Sequence, residues 1–351
     1  MIFQPFRASN DTLDDPIELR RRIENEGYLF LRKFQDPEKL RDLRLRILER
    51  IDSASDWMLP NTKLSEGKVD PTKACTEPDR EYQDVYHEVY KLQPFHEIAH
   101  SPEVVSLIGK LVESQVFPHP HVIARLWFPN YSKHTTPFHQ DFVHFQSNLQ
   151  MITVWTPLSD CPIELGPLAI VEGSHRVGEV VDHHFSLGAG GQKVSVPESR
   201  GIPRCNDFEL GDTLIFGCLM VHGALPNTTK DQLRISLDNR YTKKGLPISE
   251  HMLTPHLNNG RFTWENVYEG WPEDHKLRYF WKKEKFETIP QDVSFGQKAF
   301  EEALDLAGKG DEDAIYALQR VAKQPITIET DPRIRNNSEQ AQRRLEEIQP
   351  N

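Results

Sequence analysis

From about residue 121 to residue 242 the chain breaks into short apolar stretches separated by Pro, Gly, Asn and Asp, and this punctuation constrains the fold more than any other feature of the sequence. It is the sequence habit of a β-sandwich or barrel. The stretches 121–128, 138–145, 150–158, 168–171, 212–216, 220–224 and 233–242 read as strands, about the number a jelly roll requires. On either side the pattern is helical. Residues 16–23 and 95–113 have helical character, while Gly27-Tyr28-Leu29-Phe30-Leu31 suits a strand. Asp36 at an N-cap and Pro37 at the first helical position open a helix whose Leu40, Leu43, Ile47 and Ile51 recur on one face. Residues 61–80 are polar and without period, a loop that either covers a site or is simply mobile. After Gly245 come a tryptophan-rich section (Trp264, Trp271, Trp281) and three amphipathic patterns at 295–307, 311–323 and 338–348. The expected fold class is mainly β with flanking helices: a jelly-roll core at about 121–245, helical support at 15–115, and a helical extension over 246–351 packed on the core or at the interface of a homodimer.

With 351 residues and 37% hydrophobic content the chain is large enough for a substantial core. Its net charge of -11 argues against nucleic acid or an anionic membrane surface as partner, since either favours a basic face. No apolar run reaches the length of a bilayer span, and the opening Met1-Ile2-Phe3-Gln4-Pro5-Phe6-Arg7 lacks the regions of a signal peptide. Cys75, Cys161, Cys205 and Cys218 show no Cys-x-x-Cys spacing and are too few for a disulfide scaffold, which suits a reducing compartment. The expectation is a cytoplasmic protein whose partner is a small molecule.

Chemistry enters at His139-Gln140-Asp141. In an extended strand, residues two apart point the same way, so His139 and Asp141 can reach one metal while Gln140 faces away. With His222 from a distal strand they would place two imidazoles and a carboxylate on one face of an octahedral ion, the ligand set of non-haem iron(II) oxygenases, with three positions open. The tripeptide alone is weak, since a chain with 15 His contains about one such match by chance. A hydrogen-bonded surface pair and a core histidine would explain these residues as well. What surrounds them carries the weight. Over 233–241, Arg234, Ser236 and Asp238 share one strand face and Leu233, Ile235 and Leu237 the other. An inward-facing guanidinium requires an anionic partner. Asp238 is one candidate; the other is the distal carboxylate of an organic acid, gripped by Arg234 with help from Ser236. The interval from His222 to Arg234 is enough for a strand, a turn at Pro226-Asn227 and a return in the neighbouring strand, which favours an organic acid beside the metal.

In its motifs and their order the chain resembles the phytanoyl-CoA dioxygenase family of iron(II)- and 2-oxoglutarate-dependent oxygenases. The resemblance rests on Glu26-Gly27-Tyr28-Leu29-Phe30-Leu31 followed by Asp36-Pro37, on His139-Gln140-Asp141, on Leu165-Gly166-Pro167-Leu168 leading to Glu172-Gly173-Ser174-His175, on His222-Gly223 with Asn227, and on Arg234-Ile235-Ser236. It covers about residues 15–245; Glu172 stands where the family usually has proline, and the sequence from about 246 onward matches nothing in it. The resemblance implies a double-stranded β-helix, cupin-like, within an oxygenase domain at 1–245. It implies iron ligands His139, Asp141 and His222, and a 2-oxoglutarate site at Arg234 and Ser236 with Trp155 as a wall, although Trp155 reads equally well as an ordinary core residue. It further implies Fe(II) as cofactor, 2-oxoglutarate and O2 as cosubstrates, and hydroxylation or a related oxidation of an unactivated C–H bond with release of succinate and CO2. Related halogenases carry a small residue where Asp141 stands, so this carboxylate points to hydroxylation-type chemistry. Gly166 and Gly173-Ser174-His175 shape turns near the mouth. Arg125, His134, Phe142 and His144 are candidates for the substrate side, as are His183, His184 and Arg204 in the segment between Gly178 and Asn206, which reads as a lid. A zinc hydrolase and a non-catalytic cupin-like ligand-binding protein are the alternatives. The first leaves Arg234 unexplained, and the second leaves an intact ligand set without a use.

Overall fold

The computed structural model describes residues 2–77, 79–195, 201–324 and 332–348. Asp15 and Asp36 accept amide hydrogen bonds from the first turns of the helices they precede, α1 (Pro16–Glu26) and α2 (Pro37–Ala54), each with a proline at its start. α1 stops at Gly27, whose φ of 85° turns the chain directly into β1 (Tyr28–Leu31). α2 buries Leu40, Leu43, Ile47 and Ile51 in the main apolar cluster, where α3 (Arg80–Tyr90) adds Tyr82, Val85 and Tyr86. The single helix expected over 95–113 is two, α4 (Gln93–Glu97) and α5 (Pro102–Val112). The ring of Pro102 disfavours helical geometry in the residue before it, and Ser101 adopts ψ 126° between them.

The strands that follow are β2 (Val116–Pro118), β3 (Ile123–Trp127), β4 (His139–Gln140), β5 (Ile152–Pro157), β6 (Leu168–Glu172), β7 (His183–Phe185), β8 (Gln192–Val194), β9 (Ile202–Arg204), β10 (Thr213–Gly217), β11 (Val221–Ala224) and β12 (Arg234–Lys243). They build a six-stranded sheet in the order β1-β10-β5-β12-β2, with β3 also paired to β12, and a four-stranded sheet in the order β4-β11-β6-β9. Every pairing within these two sheets is antiparallel. β7 and β8 form a separate hairpin. Helix outweighs strand along the chain, so the architecture is mixed α and β rather than mainly β; the short strands are real, but the helices around them take more residues.

Two local expectations change. The strand expected over 138–145 ends at Gln140: Asp141 turns to φ -58°, ψ -28°, and α6 (Phe142–Phe145) follows, its His144 and Phe145 amides donating to the Asp141 carbonyl. An apolar run this short carries no period that separates strand from helix. The chain after His222 also does not return in a neighbouring strand. β11 pairs with β4 and β6, whereas β12 lies in the other sheet beside β5, β3 and β2, so the turn at Pro226-Asn227 carries the chain across from one sheet to the other.

Beyond β12, Trp264, Trp271 and Trp281 join Tyr90 in the main apolar cluster, Trp264 opening the short helix α7 (Trp264–Val267). Then come α8 (Ser294–Gly308), α9 (Glu312–Ala322), capped by Asp311, and α10 (Pro332–Ile348). These three share an apolar cluster of their own, built on Ala303, Ala307, Ala314, Leu318 and Ala341, against which Phe185 of β7 packs. Among the described residues no helix is long and apolar enough to cross a membrane.

Candidate metal centre and acid clamp

A cavity lies between the two sheets. From one side β4, β6 and β11 line it with His139, Leu168, His222 and Ala224; from the other, β3, β5, β10 and β12 bring Arg125, Thr153, Trp155, Phe216, Arg234, Asp238 and Arg240. His139 and His222 are cross-strand partners, with ring centroids 4.4 Å apart. Each Nδ1–H donates to the carbonyl two residues earlier, His139 to Pro137 at 2.8 Å and His222 to Met220 at 2.9 Å. That bond fixes the tautomer and leaves the Nε2 lone pair free to face inward. The ring of Phe216, from the six-stranded sheet, packs against His222 at 4.4 Å between centroids.

Asp141 completes the group from the turn after β4 rather than by strand alternation. Its Oδ1 lies 3.5 Å from Nε2 of both histidines. Among the described residues these three form the one buried group whose ligand atoms all lie within 4.8 Å of one another. The opposite sheet holds the carboxylate in place: Thr153 donates its hydroxyl to Oδ2 at 2.5 Å, and Arg240 Nη2 donates to Oδ1 and Oδ2 at 3.3 and 3.2 Å. Burial alone would raise the Asp141 carboxyl, but Arg240 and the neighbouring imidazoles hold it well below the usual range. Burial, and then the His222 ring, lower His139. His139 thus favours its neutral nitrogen and Asp141 its anionic oxygen, the forms that bind a divalent metal. Two imidazoles and one carboxylate with no further protein ligand fit iron(II) with open positions.

Arg234 is 1% exposed. Its Nη1 donates to the Gly166 carbonyl at 2.9 Å, its guanidinium lies 5.4 Å from the Trp127 ring centre, and among the described residues its Nε and the Ser236 hydroxyl have no hydrogen-bond partner. Asp238 does not pair with it. That carboxylate accepts from Arg125 Nε at 2.9 Å, and Arg125 also pairs with Glu77. Among the described residues no carboxylate neutralises Arg234, and burial pushes its pKa down to about 10. A buried, half-satisfied guanidinium facing a cavity fits an organic carboxylate supplied from outside. Gly166 approaches so closely that a Cβ there would lie 2.4 Å from the Leu225 carbonyl oxygen, and its φ of 77° favours glycine as well.

The candidates for the substrate side are placed differently. Arg125 lines the cavity but is committed to Glu77 and Asp238, because β3 sets it beside Ser236 in register and within reach of Asp238. Phe142, at the start of α6, packs against the main apolar cluster rather than lining the cavity. His144 lies off the cavity wall, its ring centroid 5.1 Å from that of His139 and its atoms filling the space above Gly190. His134 is buried beside Tyr131 and Arg320. His183 is tied to backbone at both nitrogens, His184 pairs with Glu302, and Arg204 pairs with Glu172. The lid segment contains the β7–β8 hairpin and β9, with residues 196–200 outside the described set. Trp155, 1% exposed, is on the wall.

Three functional neighbours went unread in the sequence. Arg240 follows Asp238 by two on β12 and Thr153 precedes Trp155 by two on β5, so extending the alternation one step in each strand finds both. Glu77 sits in an aperiodic loop and left no such signal.

The profile of a family described as Phytanoyl-CoA dioxygenase (PhyH) matches residues 23–236. The chain is 26% identical over 256 residues to the 1-deoxypentalenic acid 11-beta-hydroxylase of Streptomyces exfoliatus, covering 69% of this chain and 87% of the relative. It is likewise 26% identical over 265 residues to the enzyme of that name from Streptomyces arenae, covering 72% and 90%. Among solved structures it is similar to the epimerase SnoN in complex with Fe3+, alpha ketoglutarate and nogalamycin RO, at 20% identity and a TM-score of 0.45 over 65% of this chain and 85% of that one. EctD from S. alaskensis in its apoform gives 19% identity and a TM-score of 0.44 over 68% and 82%.

Proposed function

The chain belongs to the phytanoyl-CoA dioxygenase family and is an iron(II)- and 2-oxoglutarate-dependent oxygenase, and from that premise we propose how its residues divide the work. The two sheets and the cavity between them are the double-stranded β-helix of an oxygenase domain at 1–245. His139, Asp141 and His222 hold the iron; Arg234, with Ser236, grips the distal carboxylate of 2-oxoglutarate, and Trp155 walls that pocket. Bound there, iron and 2-oxoglutarate with O2 supply the oxidation of a C–H bond and release succinate and CO2. The protein's own part is geometry and charge. The Pro137 and Met220 carbonyls aim the two imidazoles, Thr153 and Arg240 keep Asp141 anionic and oriented, and Trp155, Leu168 and Phe216 keep water from the reacting centre.

The substrate is a small metabolite whose reacting portion is uncharged and largely carbon, hydroxylated at an unactivated C–H bond. Apolar side chains on the wall support this, and so does the pairing of Arg125 and Arg240 with carboxylates, which leaves neither free for an anionic substrate. The relatives named as 1-deoxypentalenic acid hydroxylases support hydroxylation over other outcomes. Four free, buried cysteines support a reducing, cytoplasmic setting. The observation that carries the reading is Arg234, buried, paired with no carboxylate among the described residues, and on the same cavity as the three metal-ligand side chains. Anaerobic addition of Fe(II) and 2-oxoglutarate should give the visible charge-transfer band of a ferrous keto-acid chelate. Admitting O2 with a metabolite library should convert 2-oxoglutarate to succinate together with one library member gaining an oxygen atom. A protein that gives neither band nor succinate is not working as proposed.

A further inference from the structure

The helices α8–α10 lie beyond the family match, which ends at 236, yet two of them, α8 and α9, hold segments that bond onward to Gln140 beside the metal-ligand side chains and to Arg125 on the cavity wall. In the first, Glu302 of α8 accepts the Phe185 amide at 2.6 Å and pairs with His184 Nδ1 at 3.0 Å, while Lys298 pairs with Asp182 at 3.2 Å. The adjacent His183 accepts the amide of Gln140, the residue between His139 and Asp141, at 3.0 Å. From β8, the Val194 amide donates to the Phe138 carbonyl at 2.8 Å. In the second, Arg320 of α9 pairs with Asp79 at 2.7 Å and donates to His134 Nδ1 at 3.3 Å. Asp79 in turn accepts the Thr76 amide, and Glu77 between them pairs with Arg125 on the cavity wall.

These links matter because of what they support. β4, which carries His139, is two residues long and lies at the edge of its sheet, paired only with β11. The β7–β8 hairpin takes the place of a strand on its open side, and an isolated two-stranded hairpin is marginal in water unless something packs against it. α8 is that something: Phe185 inserts into the apolar cluster of α8–α10, and Glu302 fixes the β7 backbone.

We propose that the helical tail is a working part of the active site, in which α8 and α9 clamp these two segments and Glu302 and Arg320 act as positioning residues for the metal-ligand strand and the Arg125 wall. The proposal rests on the reading of His139, Asp141 and His222 as iron ligands, but its first test does not. In the full metal-free chain, hydrogen exchange at amides 138–141 and 183–194 should quicken about tenfold in Glu302→Ala, the effect of losing a charge-assisted hydrogen bond, while α1–α5 stay unchanged. Glu302→Gln keeps an acceptor for the Phe185 amide and should recover most of the protection. Arg320→Ala should quicken exchange over 131–137 instead. With Fe(II) and 2-oxoglutarate added anaerobically, Glu302→Ala should surrender iron to a chelator several-fold faster than wild type and shift the charge-transfer band, with Glu302→Gln in between. Wild-type exchange at 138–141 in the Glu302→Ala/Arg320→Ala double variant would overturn the clamp. A wild-type protein that forms no band would instead overturn the iron assignment, and the exchange data would still decide the clamp.

Discussion

Replacing Arg234 with Met separates a residue kept for stability from one kept for binding, because the two roles give opposite signs. In the metal-free protein the guanidinium has one hydrogen bond to a neutral carbonyl, an aromatic ring beside it and an unpartnered Nε. Burial brings its pKa down to about 10, which corresponds to about 3 kcal/mol of unfavourable free energy for keeping the charge there. Met has a similar reach and no charge. It forfeits the bond to Gly166, worth about 1 kcal/mol, and relieves the burial of the cation. Metal-free Arg234→Met should therefore be as stable as wild type or up to about 2 kcal/mol more stable in urea unfolding. Its affinity for 2-oxoglutarate should fall by about 3 kcal/mol, on the order of a hundredfold in Kd, since a buried carboxylate loses its charged partner. An anaerobic titration followed by the ferrous keto-acid band reads the second quantity. Saturating 2-oxoglutarate, which should raise the Tm of iron-loaded wild type, should leave the variant's Tm nearly unmoved. The reasoning is refuted if Arg234→Met loses about 3–5 kcal/mol without metal, as breaking a buried ion pair does, and still binds 2-oxoglutarate at wild-type strength.

Arg240→Met has the reverse signature. It strands the buried Asp141 carboxylate, so the metal-free variant should be about 3 kcal/mol less stable than wild type, with much of the loss recovered by Mn(II) and none by Mg(II) at equal concentration; unfolding curves with and without metal measure it. The buried histidines should make the fold acid-sensitive. His96, which donates to the Tyr90 carbonyl at 2.7 Å, is held at about 4 by burial. A histidine lowered on folding contributes stability that is complete above about pH 6.5 and lost as pH falls toward the folded value, so at pH 5 this residue alone costs about 2 kcal/mol. His96→Gln should narrow the gap between unfolding free energies at pH 7 and pH 5 by that amount, and an unchanged gap would show that the imidazole is already protonated in the fold.

The core of this molecule was legible wherever a regular period ran long enough to be read. α2 declared itself through Asp36, Pro37 and four apolar residues on one face, and β12 through strict alternation of Arg234, Ser236 and Asp238 with leucine and isoleucine. The same alternation, carried one residue pair further, would have delivered Arg240. It failed at Phe142 and His144 because four residues are too few to separate a strand from one turn of helix, and the Asp141 carboxylate is held by Thr153 of β5 and Arg240 of β12, two strands whose approach no local pattern announces. The partner of Arg125 was hidden for another reason. Glu77 reaches it from an aperiodic loop, and nothing local distinguishes that glutamate from the acidic residues that stay in solvent. The crossing from β11 to β12 was equally invisible, since a turn's residues do not say which sheet the next strand joins.

The chemistry is split between two surfaces. The imidazoles ride on the four-stranded sheet, Arg234 and the proposed acid clamp on the six-stranded one, and Asp141 is rooted in the first but tethered to the second. The ring of Phe216, from the six-stranded sheet, packs against His222 of the four-stranded one and so spaces the two surfaces at the metal-ligand side chains. Trimming it should let the two surfaces draw together or slide while His139, Asp141, His222 and Arg234 all keep their own atoms, so the interior volume of this chain is a setting of the site separate from its ligand set.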